Sequence, residues 1–259
     1  MPRFKCIISY DGAGFFGYQV QARGRTVQGE LERVLTEIHK GKRTRVTASG
    51  RTDARVHAVG QVIHFDTDYS IPAERWPVVL NQKLPDDIVV MNVEEADPDF
   101  HARFQTSGKE YRYVIDRGEF PTPFRRHYAV HHPVTIDLAL MREAARHFVG
   151  EHDFTSFSVA KSAVVDRVRT IEYFDIIEQG SEWIFIVKGN GFLYNMVRIM
   201  VGTLLEVGSG KYTPADIPEM LKAKNRSAAG KTAPPHGLYL WKVEYGERGK
   251  GKVSEEIVE

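Results

Sequence analysis

The chain has 259 residues, 42% hydrophobic and 27% charged, enough apolar material for one large core or two modest ones. Lys and Arg number 35 against 34 for Asp and Glu, a formal charge of +1, which excludes a polycation that coats nucleic acid or membrane by net charge alone. The single cysteine, Cys6, rules out an internal disulfide and a cysteine-built zinc site, and MPRFKCIISY lacks a signal-peptide core, so a protein of the reducing cytoplasm is expected.

Phe4 to Tyr10 reads as a strand, and Val27, Leu31, Val34, Leu35 and Ile38 then recur at helical spacing. Val46 to Ala48 and Gln61 to Phe65 read as strands around a polar loop. Pro72 opens a short helix carrying Trp76, Val79 and Leu80, and Ile88 to Val93 is a further strand. The order is β-α-β-β-α-β. From Tyr111 it repeats: a strand through Tyr113 and Ile115, a helix on Leu138, Met141, Ala145, Phe148 and Val149, and strands at Val168 to Ile177 and Trp183 to Val187. An apolar helix from Phe192 to Val207 comes next; Asn195, Arg198 and Glu206 interrupt it, so it reads as packed and not membrane-spanning. One more helix, opened by Thr213-x-x-Asp216, precedes a last strand at Leu238 to Tyr245. The fold class expected is α+β: two ferredoxin-like halves with mostly antiparallel sheets flanked by helices and an active-site cleft between them, divided as residues 1–102 and 103–259.

Charge is uneven along this frame. Gln21 to Gly60 carries nine basic residues against four acidic ones, a net of +5; Asp66 to Asp99 carries nine acidic against two basic, a net of −7. From Arg103 to Arg126 the net returns to +3, six basic residues against three acidic. These are candidate polyanion surfaces or the solvated faces of amphipathic elements. The acidic end at Glu255, Glu256 and Glu259 reads as a solvated tail.

Gly12-x-Gly14-x-x-Gly17 formally matches the dinucleotide fingerprint, but Phe15 to Gln21 has no helical period, and no acidic residue ends the second strand. The aromatic, amide-rich loop suits nucleotide stacking better. His147 and His152 are five apart and cannot share a helix face for a metal. The most informative segment is Ser49-Gly50-Arg51-Thr52-Asp53-Ala54-Arg55-Val56-His57-Ala58, which sets one carboxylate between two arginines and two strands. An adjacent arginine favours an ionised Asp53, fit for a nucleophile or base; the alternative is an aspartate that caps its own turn. Asp53 and His57 could form a hydrolytic dyad, but no motif places a Ser or Cys nucleophile with them.

SGRTDARVHA resembles the catalytic loop of the tRNA pseudouridine synthase A family. Further matches are YDGAGFFGYQVQ at Tyr10 to Gln21, LNQKLPDDI at Leu80 to Ile88, FHARF at Phe100 to Phe104, KEYRYVI at Lys109 to Ile115, GNGFLYNMVRIMVGTLLEVGSG at Gly189 to Gly210 and AAGKTAPPHGLYL at Ala228 to Leu240. One departure stands out: the family usually has glycine where this chain has Arg55, so the local backbone is expected to avoid conformations that favour glycine.

The resemblance implies isomerisation of uridine to pseudouridine at positions 38, 39 and 40 of the tRNA anticodon stem-loop, by a cytoplasmic homodimer, with no cofactor, metal or membrane. Asp53 matches the essential carboxylate; it attacks the anomeric carbon, attacks the base, or takes a ribose proton to give a glycal. Tyr111 matches the active-site tyrosine that stacks on the flipped uracil, although its alternation alone favours a core strand residue like Tyr113. Arg198 matches the arginine that pairs with the carboxylate, where the helix pattern alone would allow a solvated side chain. Leu238 would line the same pocket, and Arg51 would displace the base or contact RNA. The competing class is a noncatalytic tRNA-binding or RNA-chaperone protein built on the basic segments.

Overall fold

The computed structural model describes residues 1–159 and 164–246; the acidic tail with Glu255, Glu256 and Glu259 lies outside the described residues. The chain divides into two units, Met1–Ser107 with Lys242–Glu259, and Gly108–Trp241.

In the first unit, alternation along β1 (Arg3–Tyr10) buries Phe4, Cys6, Ile8 and Tyr10. Thr26 caps α1 (Val27–Ile38) by accepting from the Gly29 N–H at 3.2 Å, and the helix buries Val27, Leu31, Val34 and Leu35 as its spacing predicts. β2 (Thr47–Ala48), β3 (His57–Asp66), α2 (Trp76–Asn81) and β4 (Ile88–Ala96) complete the motif. Its strands run in the order β4-β1-β3-β2, each neighbouring pair antiparallel. Phe4, Phe65 and Trp76 form an aromatic cluster with ring centroids 5.1–5.8 Å apart. Burial of each such ring contributes about 2–3 kcal/mol, so helix packing and not strand length sets this core.

A second apolar cluster joins Val62, Phe100 and Ala102 to Ile7, Val243 and Tyr245, and the Tyr245 hydroxyl donates to the Ala102 carbonyl at 2.7 Å. His64 is buried beside it and accepts from the Ala102 N–H at 3.1 Å. Burial first, then the charges of Arg3 and His101, pushes its pKa down to about 4, with Asp66 opposing. A depressed histidine means that the unfolded chain takes the proton first as pH falls. The stabilisation is therefore complete above pH 6.5 and lost as pH drops from there toward 4. We expect unfolding free energy to fall by about 1–2 kcal/mol between pH 7 and pH 5 after allowance for screening. Denaturant titrations of wild type and His64→Gln at both pH values check this: the slope should flatten in the variant.

The second unit repeats the order. It comprises β5 (Thr106–Asp116), β6 (Val130–His131), α3 (Leu138–Arg146), β7 (Gly150–Asp153), β8 (Val168–Gln179), β9 (Glu182–Gly189), α4 (Met196–Gly208), α5 (Asp216–Ala223) and the start of β10 (Leu238–Tyr245). Strands follow as β10-β5-β9-β8, the same fourth-first-third-second sequence of a ferredoxin-like motif, with β7 added beyond β8 and β6 parallel to β5. Both motifs are thus α+β with mostly antiparallel strands, as the sequence pattern predicts.

Three boundaries differ from the periodicity. The α4 helix begins at Met196 and not Phe192, because Asn195 sits in the left-handed region at φ 61° and interrupts the helix there. The α3 helix stops at Arg146; Phe148 and Val149 stay inside the following turn through bonds to the Ala145 and Arg146 carbonyls. β3 begins at His57, inside the polar motif. At α5 the Asp216 carboxylate does reach back to the Thr213 N–H and hydroxyl, at 2.7 and 2.9 Å, the reciprocal half of a capping box. Among the described residues no helix is long and apolar enough to cross a membrane.

Candidate active site

The loop before β3 is held from both sides by the first unit. Ser49 is fully buried; its hydroxyl donates to Gln61 Oε1 at 2.7 Å, and Gln61 Nε2 donates to the Gly50 carbonyl at 2.9 Å. Two residues on, Thr52 is buried, with its hydroxyl 2.8 Å from the Tyr10 hydroxyl and its carbonyl accepting from the Tyr18 N–H at 3.0 Å. Burial pushes the Tyr10 phenol up to about 12, which keeps it neutral and able to act as a hydrogen-bonding strut. Asp53 then opens a tight turn, closed by the Val56 N–H on the Asp53 carbonyl at 3.1 Å. It is half-buried, whereas Arg51 and Arg55 are exposed.

His57 ends the turn as a buried strut. Its Nδ1 accepts from the Gly12 N–H at 3.0 Å, while Asp11 turns a carboxylate oxygen to the Ala13 N–H at 2.9 Å. The same Nδ1 lies 3.1 Å from the Asp11 carboxylate, so this edge of the ring is engaged by the Asp11-Gly12 segment. Gly12 and Gly17 approach closely: a Cβ on Gly12 would lie 2.1 Å from the Val56 carbonyl oxygen, and one on Gly17, at φ +100°, 3.0 Å from that of Thr52. The glycine spacing that formally resembles a dinucleotide fingerprint therefore seats the Asp53 loop.

In the second unit Arg198 and Leu238 are associated with residues 229–238, and Tyr111 stands on β5. Arg198 is half-buried in the first turn of α4; its Nε donates to the Ala233 carbonyl and its Nη1 to Asn195 Oδ1, both at 2.8 Å, and its own carbonyl accepts from the Ala233 N–H. It is fixed, not freely solvated. Gly202 continues that helix face and touches the Lys231 carbonyl so closely that a Cβ would lie 1.8 Å from the oxygen. Tyr113 donates its hydroxyl to the Pro234 carbonyl at 2.8 Å; burial drives its pKa up, with the nearby Arg198 charge opposing. After a short turn at Pro235–Gly237, Leu238 starts β10 and is buried. Tyr111 stands opposite Val187 on β5, 9% exposed, its ring edge-on to Phe192 at 5.1 Å.

Residues 6–105 and 144–246 match the sequence model of the tRNA pseudouridine synthases. The tRNA pseudouridine synthase A of Anoxybacillus flavithermus is 58% identical over 245 residues, 95% of this chain and 99% of that protein. Those of a Geobacillus species and of Bacillus subtilis are 58% and 57% identical over 243 and 244 residues, 94% of this chain in both cases and 98% and 99% of theirs. The chain belongs to the tRNA pseudouridine synthase family. Asp53, Arg51, Arg198 and Leu238 fall within the matched segments, and Tyr111 lies between them.

The expectation for Arg55 is overturned. Its φ is +67°, the left-handed region, so the chain keeps a glycine-type conformation with an arginine in it. Two backbone bonds hold it there, Val56 N–H to Asp53 and Arg55 N–H to the Phe15 carbonyl at 3.2 Å. A side chain in this region costs about 1–2 kcal/mol. Arg55→Gly should therefore raise stability by about 0.5–1 kcal/mol net of the greater freedom of unfolded glycine, while Arg55→Ala gains nothing. Denaturant unfolding of the two variants side by side checks it.

The sequence pattern points to Asp53 and Arg198 but not to their supports. Tyr10, Thr52, His57 and the Ala233-Pro234 carbonyls act through contacts distant in sequence. The signals available are the matched segments themselves, YDGAGFFGYQVQ for Tyr10, SGRTDARVHA for Thr52 and His57, and AAGKTAPPHGLYL for Ala233 and Pro234.

Proposed function

We propose that this chain isomerises uridine to pseudouridine at positions 38, 39 and 40 of the anticodon stem-loop of tRNA, with Asp53 as the essential carboxylate. Family membership supplies the reaction, and the observation that carries the assignment to Asp53 is the bracing of its loop. Ser49, Thr52, Arg55 and His57 each bond to a neighbouring element of the first unit, and between them Asp53 stands half-buried, flanked in sequence by two exposed arginines.

The chemistry breaks the bond from N1 to the anomeric carbon, turns the uracil over and forms a bond from C5 to the same carbon; the C5 proton is lost and N1 gains one, so the reaction is redox-neutral. The target base has to leave its stack. Asp53 drives the sugar step as nucleophile or base. On this reading Arg198, oriented by Ala233 and Asn195, supplies a fixed positive charge to the carboxylate-driven step. Tyr111 stacks on the uracil, Leu238 gives the base an apolar wall, and Arg51 engages the RNA. A homodimer in the cytoplasm goes with the same reading, and light scattering showing only monomer at working concentration would count against the dimer.

Pseudouridine mapping on unmodified tRNA before and after incubation with the purified chain tests the function. New pseudouridine at 38, 39 or 40 is the expected result. Salt-sensitive tRNA binding without product would instead favour a noncatalytic RNA-binding protein.

A further inference from the structure

Phe15 and Phe16 are neighbours with opposite fates. Phe15 is buried, its ring 4.3 Å from the Arg25 guanidinium, while Phe16 is 61% exposed. Exposure here is not looseness. The Phe16 N–H donates to the Arg25 carbonyl at 2.9 Å, and its carbonyl accepts from Gln21 Nε2 at 2.5 Å. The ring lies on Gly24, at φ +87°, where a Cβ would come within 2.5 Å of the Phe16 Cγ and Cδ2. The Cβ, Cγ and Cδ2 side of the ring is thus seated against bare backbone, and most of the side chain is open to solvent.

The residues around it tie this ring to the Asp53 loop. The Phe15 carbonyl takes the Arg55 N–H, and the Tyr18 N–H reaches Thr52. Arg23, Arg51 and Arg55 are exposed and form no ion pair among the described residues, although Arg25 close by is committed to Glu30 and Asp87. A rigid open ring among free guanidinium groups matches a nucleobase with its flanking phosphates. It does not match a protein partner, because protein interface cores are depleted of charge and a single ring is too small a patch.

We propose that the open face of Phe16 is a stacking platform for an unpaired base of the RNA substrate next to the uridine being processed. The inference rests on the functional reading above. Stacking tolerates any base, so the platform holds the strand in register and leaves base identity unread.

The test uses anticodon stem-loop RNAs carrying 2-aminopurine on the 5′ or the 3′ side of the target uridine, with wild type, Phe16→Tyr, Phe16→Leu and Phe16→Ala. Wild type and Phe16→Tyr should bind with equal affinity and quench one of the two probes. Phe16→Ala and Phe16→Leu should bind about tenfold or more weakly and lose that quench, with melting temperatures unchanged because the ring is exposed. Unchanged affinity and quench in Phe16→Ala would overturn the proposal. So would full retention by Phe16→Leu, which would mean apolar packing and not stacking. Wild-type protein that binds and quenches yet makes no pseudouridine would overturn the functional reading and leave the platform standing. Product formation together with unaltered Phe16→Ala binding would overturn the platform alone.

Discussion

Asp53→Asn should leave tRNA bound and lower pseudouridine formation by about 10⁴-fold or more, the scale seen when an essential catalytic group is removed. Asparagine has nearly the shape of aspartate, and the backbone carbonyl of Asp53, which the substitution keeps, closes the turn that carries it. The struts from Tyr10, Tyr18, Gln61 and Gly12 reach Thr52, Gly50 and His57, so they also survive the change. What disappears is the negative charge, and with it any nucleophile or base at that point. Binding should persist because the exposed Arg23, Arg51 and Arg55 keep their charge. Single-turnover conversion and a filter-binding isotherm on the same tRNA separate the two effects; substantial turnover by the pure variant would remove Asp53 from the mechanism.

The parts of this fold that are legible in the sequence are those written in local periodicity. The α1 stripe, the alternation of β1 and the paired motif order follow from spacing, because each element buries one face. Contacts between distant segments are not written that way. Nothing in Val243 or Tyr245 announces that they cover Val62 and Phe100, and only the three-dimensional arrangement sorts the charges. The −7 segment spends part of its excess locally: Asp66 pairs with Arg3, Asp68 with Lys42, Asp87 with Arg25 and Glu94 with Lys5. Arg23, Lys40, Arg43, Arg45, Arg51 and Arg55 are left without an ion pair among the described residues. A net charge near zero thus coexists with a basic surface in the first unit. Arg55 shows the opposite failure, where residue type misleads: arginine argues against positive φ, yet two backbone bonds outweigh a strain of about 1–2 kcal/mol.

Gly12→Ala and Gly14→Ala should differ sharply although both alter the same short motif. The Gly12 Cβ would meet the Val56 peptide at 2.1 Å from its oxygen and 2.5 Å from its carbon, and backbone on both sides leaves no rotamer to adjust. That peptide is held by the Val56 bond to Asp53 and is followed by His57, whose ring accepts from Gly12 itself. Relief requires moving the Asp53 turn. We expect a loss of about 2–3 kcal/mol, a melting temperature lower by about 5–10 °C, and catalysis reduced at temperatures where the variant is still folded. At Gly14 the added carbon would sit 3.6 Å from Asp87 Oδ2 and 3.7 Å from Arg25 Nη1, ordinary contact distances, so the change should stay within about 0.5 kcal/mol. A phosphate-cradling loop would need its middle glycine for close backbone approach to the ligand. Here the outer glycines carry the constraint because their neighbour is the Asp53 loop. Thermal melts and single-turnover rates for the two variants decide the matter, and equal tolerance at Gly12 and Gly14 would show that the loop is not seated on Gly12.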